Sequence, residues 1–69
     1  MKEFFEFFEK FKEKYDLVLD FHYNDSDEYE ISIATIYPEL FSIFYTKDIS
    51  IEVVFSKALV ALKDWTKEY

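Results

Sequence analysis

The stretch LVLDFHYNDSDEYEISIATIY, residues 17–37, decides the fold of this chain. Leu17, Leu19, Phe21 and Tyr23 alternate with Val18, Asp20 and His22. Further on, Tyr29, Ile31, Ile33, Thr35 and Tyr37 alternate with Glu30, Ser32, Ala34 and Ile36. A two-residue period is the signature of a half-buried strand, so strands are expected over about 16–24 and 28–37. Between them, Asn24-Asp25-Ser26-Asp27 reads as a turn, because Asn and Asp tolerate left-handed backbone best after glycine. The inward residues are odd-numbered on both strands, so paired positions must sum to an even number; a one-residue slip would turn every apolar side chain to water. A sum of 52 pairs Tyr23 with Tyr29, Phe21 with Ile31 and His22 with Glu30, leaving Asp25, Ser26 and Asp27 as the loop tip.

Outward from this hairpin, Tyr37-Pro38-Glu39-Leu40 reads as a second turn with proline supplying its fixed φ. A third strand follows over about 40–46, with Phe41, Ile43 and Tyr45 as its expected inner set, although apolar Leu40 and Phe44 fit the opposite facing as well. Upstream, Phe4, Phe7, Phe8, Phe11 and Tyr15 recur at helical spacing and predict a helix over 2–15. Downstream, Ile51, Val54, Phe55, Ala58, Ala61, Leu62, Trp65 and Tyr69 share one helical face, predicting a helix over about 50–68 capped by Asp48 or Ser50. The expected architecture is α+β in the order α-β-β-β-α: a three-stranded antiparallel meander with both helices on one face, forming one domain over residues 1–69.

With 69 residues, stability depends on a rich core, and 23% of the residues are aromatic. No cysteine is present, which excludes a thiol nucleophile and a cysteine zinc site and fits an intracellular protein. No glycine is present either, which removes phosphate loops and dinucleotide fingerprints. No stretch reads as a signal peptide or a membrane span, so a cytoplasmic location is expected.

The net charge of −7 falls entirely between residues 16 and 46, where Asp16, Asp20, Asp25, Asp27, Glu28, Glu30 and Glu39 stand without a lysine. Four glutamates balance four lysines before this segment, and four acids balance four lysines after it. A one-signed patch attracts basic partners and repels nucleic acid and anionic lipid. These seven carboxylates are the candidate partner-binding residues. The sheet face away from the helices is expected to carry Val18, Asp20, His22, Glu30, Ser32, Ala34, Ile36, Ser42 and Phe44, acidic near the first hairpin and apolar near Pro38. Such a mixture suits a protein interface, where charge steers the encounter and apolar contact holds it; it also suits a solvated face protected against edge pairing. Val53 and Val60, seven apart on the polar side of the second helix, read either as ordinary exposed valines or as a homodimer contact.

Catalysis is not expected. His22, with Asp20 beside it and Glu30 or Ser32 across the hairpin, reads as a surface cross-strand pair on an open face. Asp25-x-Asp27 fails as a calcium loop because Glu30 and Ile36 occupy the positions that require Gly and Glu. No metal or other cofactor is expected. The element order resembles that of double-stranded RNA-binding domains, but Asn24-Asp25-Ser26-Asp27 and Asp48-Ile49-Ser50-Ile51-Glu52 stand where that family places phosphate-gripping lysines, so its activity is not carried over. The Phe-rich first helix has a polar face that is half Glu, unlike the Lys-rich face of a membrane-surface helix.

Tyr15-Asp16-Leu17-Val18-Leu19 leading into the hairpin, and Asp64-Trp65-Thr66-Lys67-Glu68-Tyr69 after the second helix, carry a further likeness. With this order of elements, the chain resembles small acidic phage anti-CRISPR proteins that inhibit Cas9 as DNA mimics. The resemblance implies a protein-binding inhibitor that fills the basic groove of a nucleic-acid-handling partner, such as a CRISPR effector, inside a bacterial host cell. Duplex DNA presents one charge per about 1.7 Å of axis, and carboxylates on a rigid hairpin can occupy a groove built to match it. The alternative expectation is a structural or oligomerisation module that binds through the open sheet face.

Overall fold

A computed structural model describes residues 1–37 and 39–68. Its elements are α1 (Lys2–Phe11), β1 (Leu17–Tyr23), β2 (Tyr29–Thr35), β3 (Phe41–Asp48) and α2 (Ile51–Thr66). The strands form one antiparallel sheet in the order β1-β2-β3. The architecture is therefore α+β with the α-β-β-β-α order expected from the sequence. The Pro38 turn position and the Tyr69 core position lie outside the described residues.

The first hairpin has the expected register, with paired positions summing to 52: Tyr23 pairs with Tyr29, His22 with Glu30 and Phe21 with Ile31, continuing to Leu17 with Thr35. Ile31 and Ile33 on the central strand are fully buried, and Leu17 is buried beside them.

The third strand departs from the expected inner set. Ile33 pairs with Phe44 but Ala34 pairs with Ser42, so Ile43 is an extra residue in a β-bulge. The bulge reverses the parity of β3 from Phe44 onward, while Phe41 keeps its expected register opposite Thr35. Phe44 and Thr46 stand opposite inward Ile33 and Ile31, whereas Tyr45 and Lys47 stand opposite outward Ser32 and Glu30. Phe44, expected on the outer face, packs with Ile43 against the core, Tyr45 is exposed on the outer side instead of buried, and Phe41 is 60% exposed.

Helix α1 ends four residues before the expected Tyr15, but its last turn continues into a cap. Tyr15 N–H donates to Phe11 O, Asp16 N–H to Glu13 O and Leu17 N–H to Lys12 O. The last two bonds, with Asp16 at φ 51°, form a Schellman motif with aspartate in the left-handed position usually held by glycine. Thr35 Oγ1 then donates to Tyr15 O at 2.6 Å, fastening this corner to β2. At α2, Ser50 is the N-cap and its Oγ accepts from Val53 N–H at 3.3 Å. Asp48 Oδ1 accepts from Ser50 N–H at 2.9 Å, so both expected capping residues take part in the entry to the helix.

Phe4, Phe8 and Phe11 of α1 and Val54, Phe55, Ala58 and Leu62 of α2 close over Leu17, Ile31 and Ile33 to form the core. Helix α2 lies across β2 and β3, and α1 packs beside α2. The rings of Phe4 and Phe55 meet at 5.3 Å, and those of Tyr15 and Trp65 at 5.0 Å. Both helices thus run from the β1–β2 hairpin end of the sheet toward its other end.

Candidate acidic interface

Asn24 builds the tip of the first hairpin. Its backbone N–H donates to Glu28 O at 2.8 Å, while its side-chain Oδ1 accepts from Ser26 N–H at 2.9 Å and Glu28 N–H at 3.0 Å. Asp27 N–H donates to Asn24 O, and Asp27 then takes a φ of 62°. This is a three-residue hairpin loop whose left-handed position, again without glycine, is filled by an acid. With the asparagine satisfying the loop from inside, Asp25, Ser26 and Asp27 are exposed. The Tyr23 hydroxyl donates to Asp27 Oδ1 at 3.3 Å. Partial burial, then the Asp27 charge, hold that hydroxyl above the usual tyrosine range.

Below the tip, His22, Glu30 and Lys47 form one row across the outer face, and Asp20, Ser32 and Tyr45 form the next. Glu30 is the centre of this face, its side chain only 18% exposed. It accepts from the Asn24 side-chain amide and from the Tyr45 hydroxyl, the latter at 2.7 Å, and His22 Nε2 lies 3.5 Å away. The Asn24 bond first, then the Tyr45 bond, hold the Glu30 carboxyl below the usual carboxylate range against partial desolvation. The same Glu30 bond pushes the Tyr45 hydroxyl up. Lys47 Nζ reaches Glu28 at 3.6 Å, and His22 Nδ1 lies 3.8 Å from Asp20.

The structure thus brings Asp20, Asp25, Asp27, Glu28 and Glu30 to one hairpin and its outer face. Asp48, expected only as a capping residue, stands opposite Tyr29 and adds a carboxylate at the same end. Asp16 and Glu39 lie at the opposite end of the sheet, Asp16 in the helix cap and Glu39 in the segment joining β2 to β3. That opposite end is apolar, with Ile36, Tyr37, Leu40 and Phe41 all more than half exposed. Two partners of the acidic cluster, Tyr45 and Lys47, were missed in the sequence because the bulge decides their facing. Asn24 was visible as a turn residue, but its contact with Glu30, six positions on, needed the hairpin to close.

Among the described residues, no group of three or more His, Cys, Asp or Glu side chains could hold a metal ion, and no helix is long and apolar enough to cross a membrane. No protein-family model, curated protein or solved structure matches this chain.

Proposed function

We propose that this protein is a non-enzymatic inhibitor that inserts its acidic hairpin into the basic groove of a nucleic-acid-handling protein, as a DNA mimic does. One observation carries the reading: five carboxylates converge on a hairpin whose backbone is held by Asn24, while most lysines lie elsewhere. Among the described residues, Lys47 is the lysine that reaches into the cluster, and Lys2 pairs with Glu6 on its own helix. Lys10, Lys12 and Lys14 sit at or beyond the end of α1, and Lys63 and Lys67 at the end of α2, toward the other end of the sheet. The resulting field is directional and steers a basic partner toward the tip. A clamped loop loses little conformational freedom on docking, which favours association. In the anti-CRISPR reading, the partner is a guide-loaded Cas9 in the cytoplasm of a bacterial host, and Asp20, Asp25, Asp27, Glu28 and Glu30 take the place of DNA phosphates. Asp16 and Glu39 contribute only long-range charge.

A second reading is favoured by the outer row of Val18, Ala34 and Ser42, which carries no charge and suits a module that binds through the sheet face. Titration of the chain into a panel of guide-loaded Cas9 orthologues, read by gel shift of target DNA, tests the first reading. The expected result is loss of DNA binding at 50 mM salt, with potency falling steeply toward about 300 mM as charges are screened. Asp25→Lys with Asp27→Asn keeps a residue suited to the left-handed position and is expected to abolish inhibition. Full potency in that variant, or DNA binding unaffected across the panel at low salt, overturns the reading. Association insensitive to salt favours the sheet-face module.

A further inference from the structure

Strand β1 is an edge strand whose open side no helix covers: among the described residues, β2 is the only element packed extensively against it. Asn24 N–H donates to Glu28 O, and Asp16 O accepts from Ile36 N–H. The even-numbered backbone groups therefore face β2, and alternation along an antiparallel ladder turns those of the odd residues Leu19, Phe21 and Tyr23 to the open edge. Phe21 and Tyr23 are also exposed on the inner face, at 38% and 57%. They belong to a chain of rings in which Phe21 meets Phe55 at 5.0 Å and Tyr29 at 6.0 Å, and Tyr23 meets Tyr29 at 4.9 Å. Unpaired edge groups beside exposed aromatic side chains make a template for another strand.

We propose that the occupant is a second copy of this chain, with the two β1 strands pairing antiparallel about Phe21 to make one six-stranded sheet. The charge pattern of β1 selects this partner and this register. Centring the pair on Phe21 sets Phe21 against Phe21 of the second copy and Leu19 against Tyr23, and on the outer face Asp20 against His22, twice by symmetry. Centring on Asp20 instead sets two aspartates opposite each other in a close pair, which is unfavourable. The Phe21-centred arrangement is isologous and closes at two copies. It also sends the two acidic hairpin tips to opposite ends of the extended sheet, so the net charge of −7 on each copy is not concentrated at the interface. The contact is one strand wide, smaller than a standard interface, and the dimer forms only at high concentration. This inference does not rest on the identity of any inhibited partner.

Two measurements test it. Sedimentation of the unmodified chain is expected to show the mass doubling from 8.5 kDa as concentration rises to about 1 mM. In addition, an Asp20→Cys chain and a His22→Cys chain are mixed under mild oxidation. The native chain has no cysteine, so every cross-link reports the interface. Positions 20 and 22 lie in a non-hydrogen-bonded pair with Cα atoms about 4.5 Å apart, within disulfide reach. The mixture is expected to yield a mixed dimer, while each variant alone stays uncross-linked. A monomer at every concentration overturns the proposal, as does Asp20→Cys cross-linking to itself in preference to the mixed pair.

Discussion

The Tyr45 hydroxyl lies 2.7 Å from Glu30 Oε1, joining residues fifteen positions apart on the outer face of the sheet. The contact exists because the bulge at Ile43 turns Tyr45 outward, onto the same face as the carboxylate. Glu30 is thereby held from two sides, by Asn24 in the loop and by Tyr45 on the third strand. The acidic end combines this fixed carboxylate with freely exposed ones at the tip.

Glu30 should titrate below an ordinary glutamate, with Asn24 contributing more than Tyr45. A carboxyl whose pKa is lowered in the folded state adds stability above the ordinary carboxylate range, and that stability is lost as pH falls through the folded-state value. Carboxyl carbon NMR should show the Glu30 midpoint rising in both Asn24→Ala and Tyr45→Phe, with the larger rise in Asn24→Ala. An unchanged midpoint in both variants would contradict the assignment of these two bonds.

Tyr45 should titrate above the ordinary tyrosine value of about 10, because ionising it would lose the hydrogen bond it donates to Glu30, besides setting a partly desolvated phenolate against that carboxylate. Its contribution to stability is complete below the ordinary tyrosine range and is lost as pH rises through the elevated folded-state value. Ring NMR of Glu30→Gln should show the Tyr45 midpoint moving back down. A midpoint indifferent to that change would argue against the bond.

The parity reversal on β3 can be tested with two phenylalanines. Phe44 packs against the core and Phe41 is 60% exposed. Chemical denaturation should find Phe44→Ala destabilising by about 2–4 kcal/mol and Phe41→Ala by less than about 1 kcal/mol. Phe41, opposite Thr35 on the near side of the bulge, serves as the exposed control; a cost at Phe44 no larger than at Phe41 would mean that the strand keeps the simple alternation read from the sequence.

Asp16 holds a left-handed conformation at φ 51°. Asp16→Gly should stabilise the protein by roughly 0.5–1 kcal/mol, since glycine adopts this conformation without a Cβ penalty. Asp16→Val should destabilise it by about 1–2 kcal/mol, because a β-branched residue fits poorly there. Thermal melts of the two variants give the sign directly. A loss of stability in Asp16→Gly would show that the carboxylate itself, not the backbone, matters at this corner.

Ser50 caps α2 through its bond to Val53 N–H. Ser50→Ala should cost about 1 kcal/mol in denaturant unfolding, and Ser50→Asp should restore most of it. If the alanine variant were as stable as the parent, Asp48 would be carrying the cap.

The alternation of Leu17–Tyr23 and Tyr29–Thr35 restricted the first hairpin to even-sum registers, the ones that keep Ile31 and Ile33 buried, and the Asn24–Asp27 turn cluster singled out the sum of 52. The helical spacing of Phe4, Phe8, Phe11, Val54, Phe55, Ala58 and Leu62 likewise marked the core faces of both helices. These features are legible because they follow from local periodicity. The facing of β3 is not local. One extra residue at Ile43 reverses it, and the run Phe41-Ser42-Ile43-Phe44-Tyr45 is apolar enough on both faces to permit either parity. The same holds for the candidate interface. The sequence determined how many carboxylates stand in the middle of the chain and that the first hairpin would carry most of them. Only the tertiary structure decided that Glu30 is clamped, that Lys47 answers Glu28, and that Asp16 and Glu39 lie at the other end of the sheet. The electrostatic environment of a carboxylate is set by its neighbours across the strands, and those neighbours are chosen by the whole sheet.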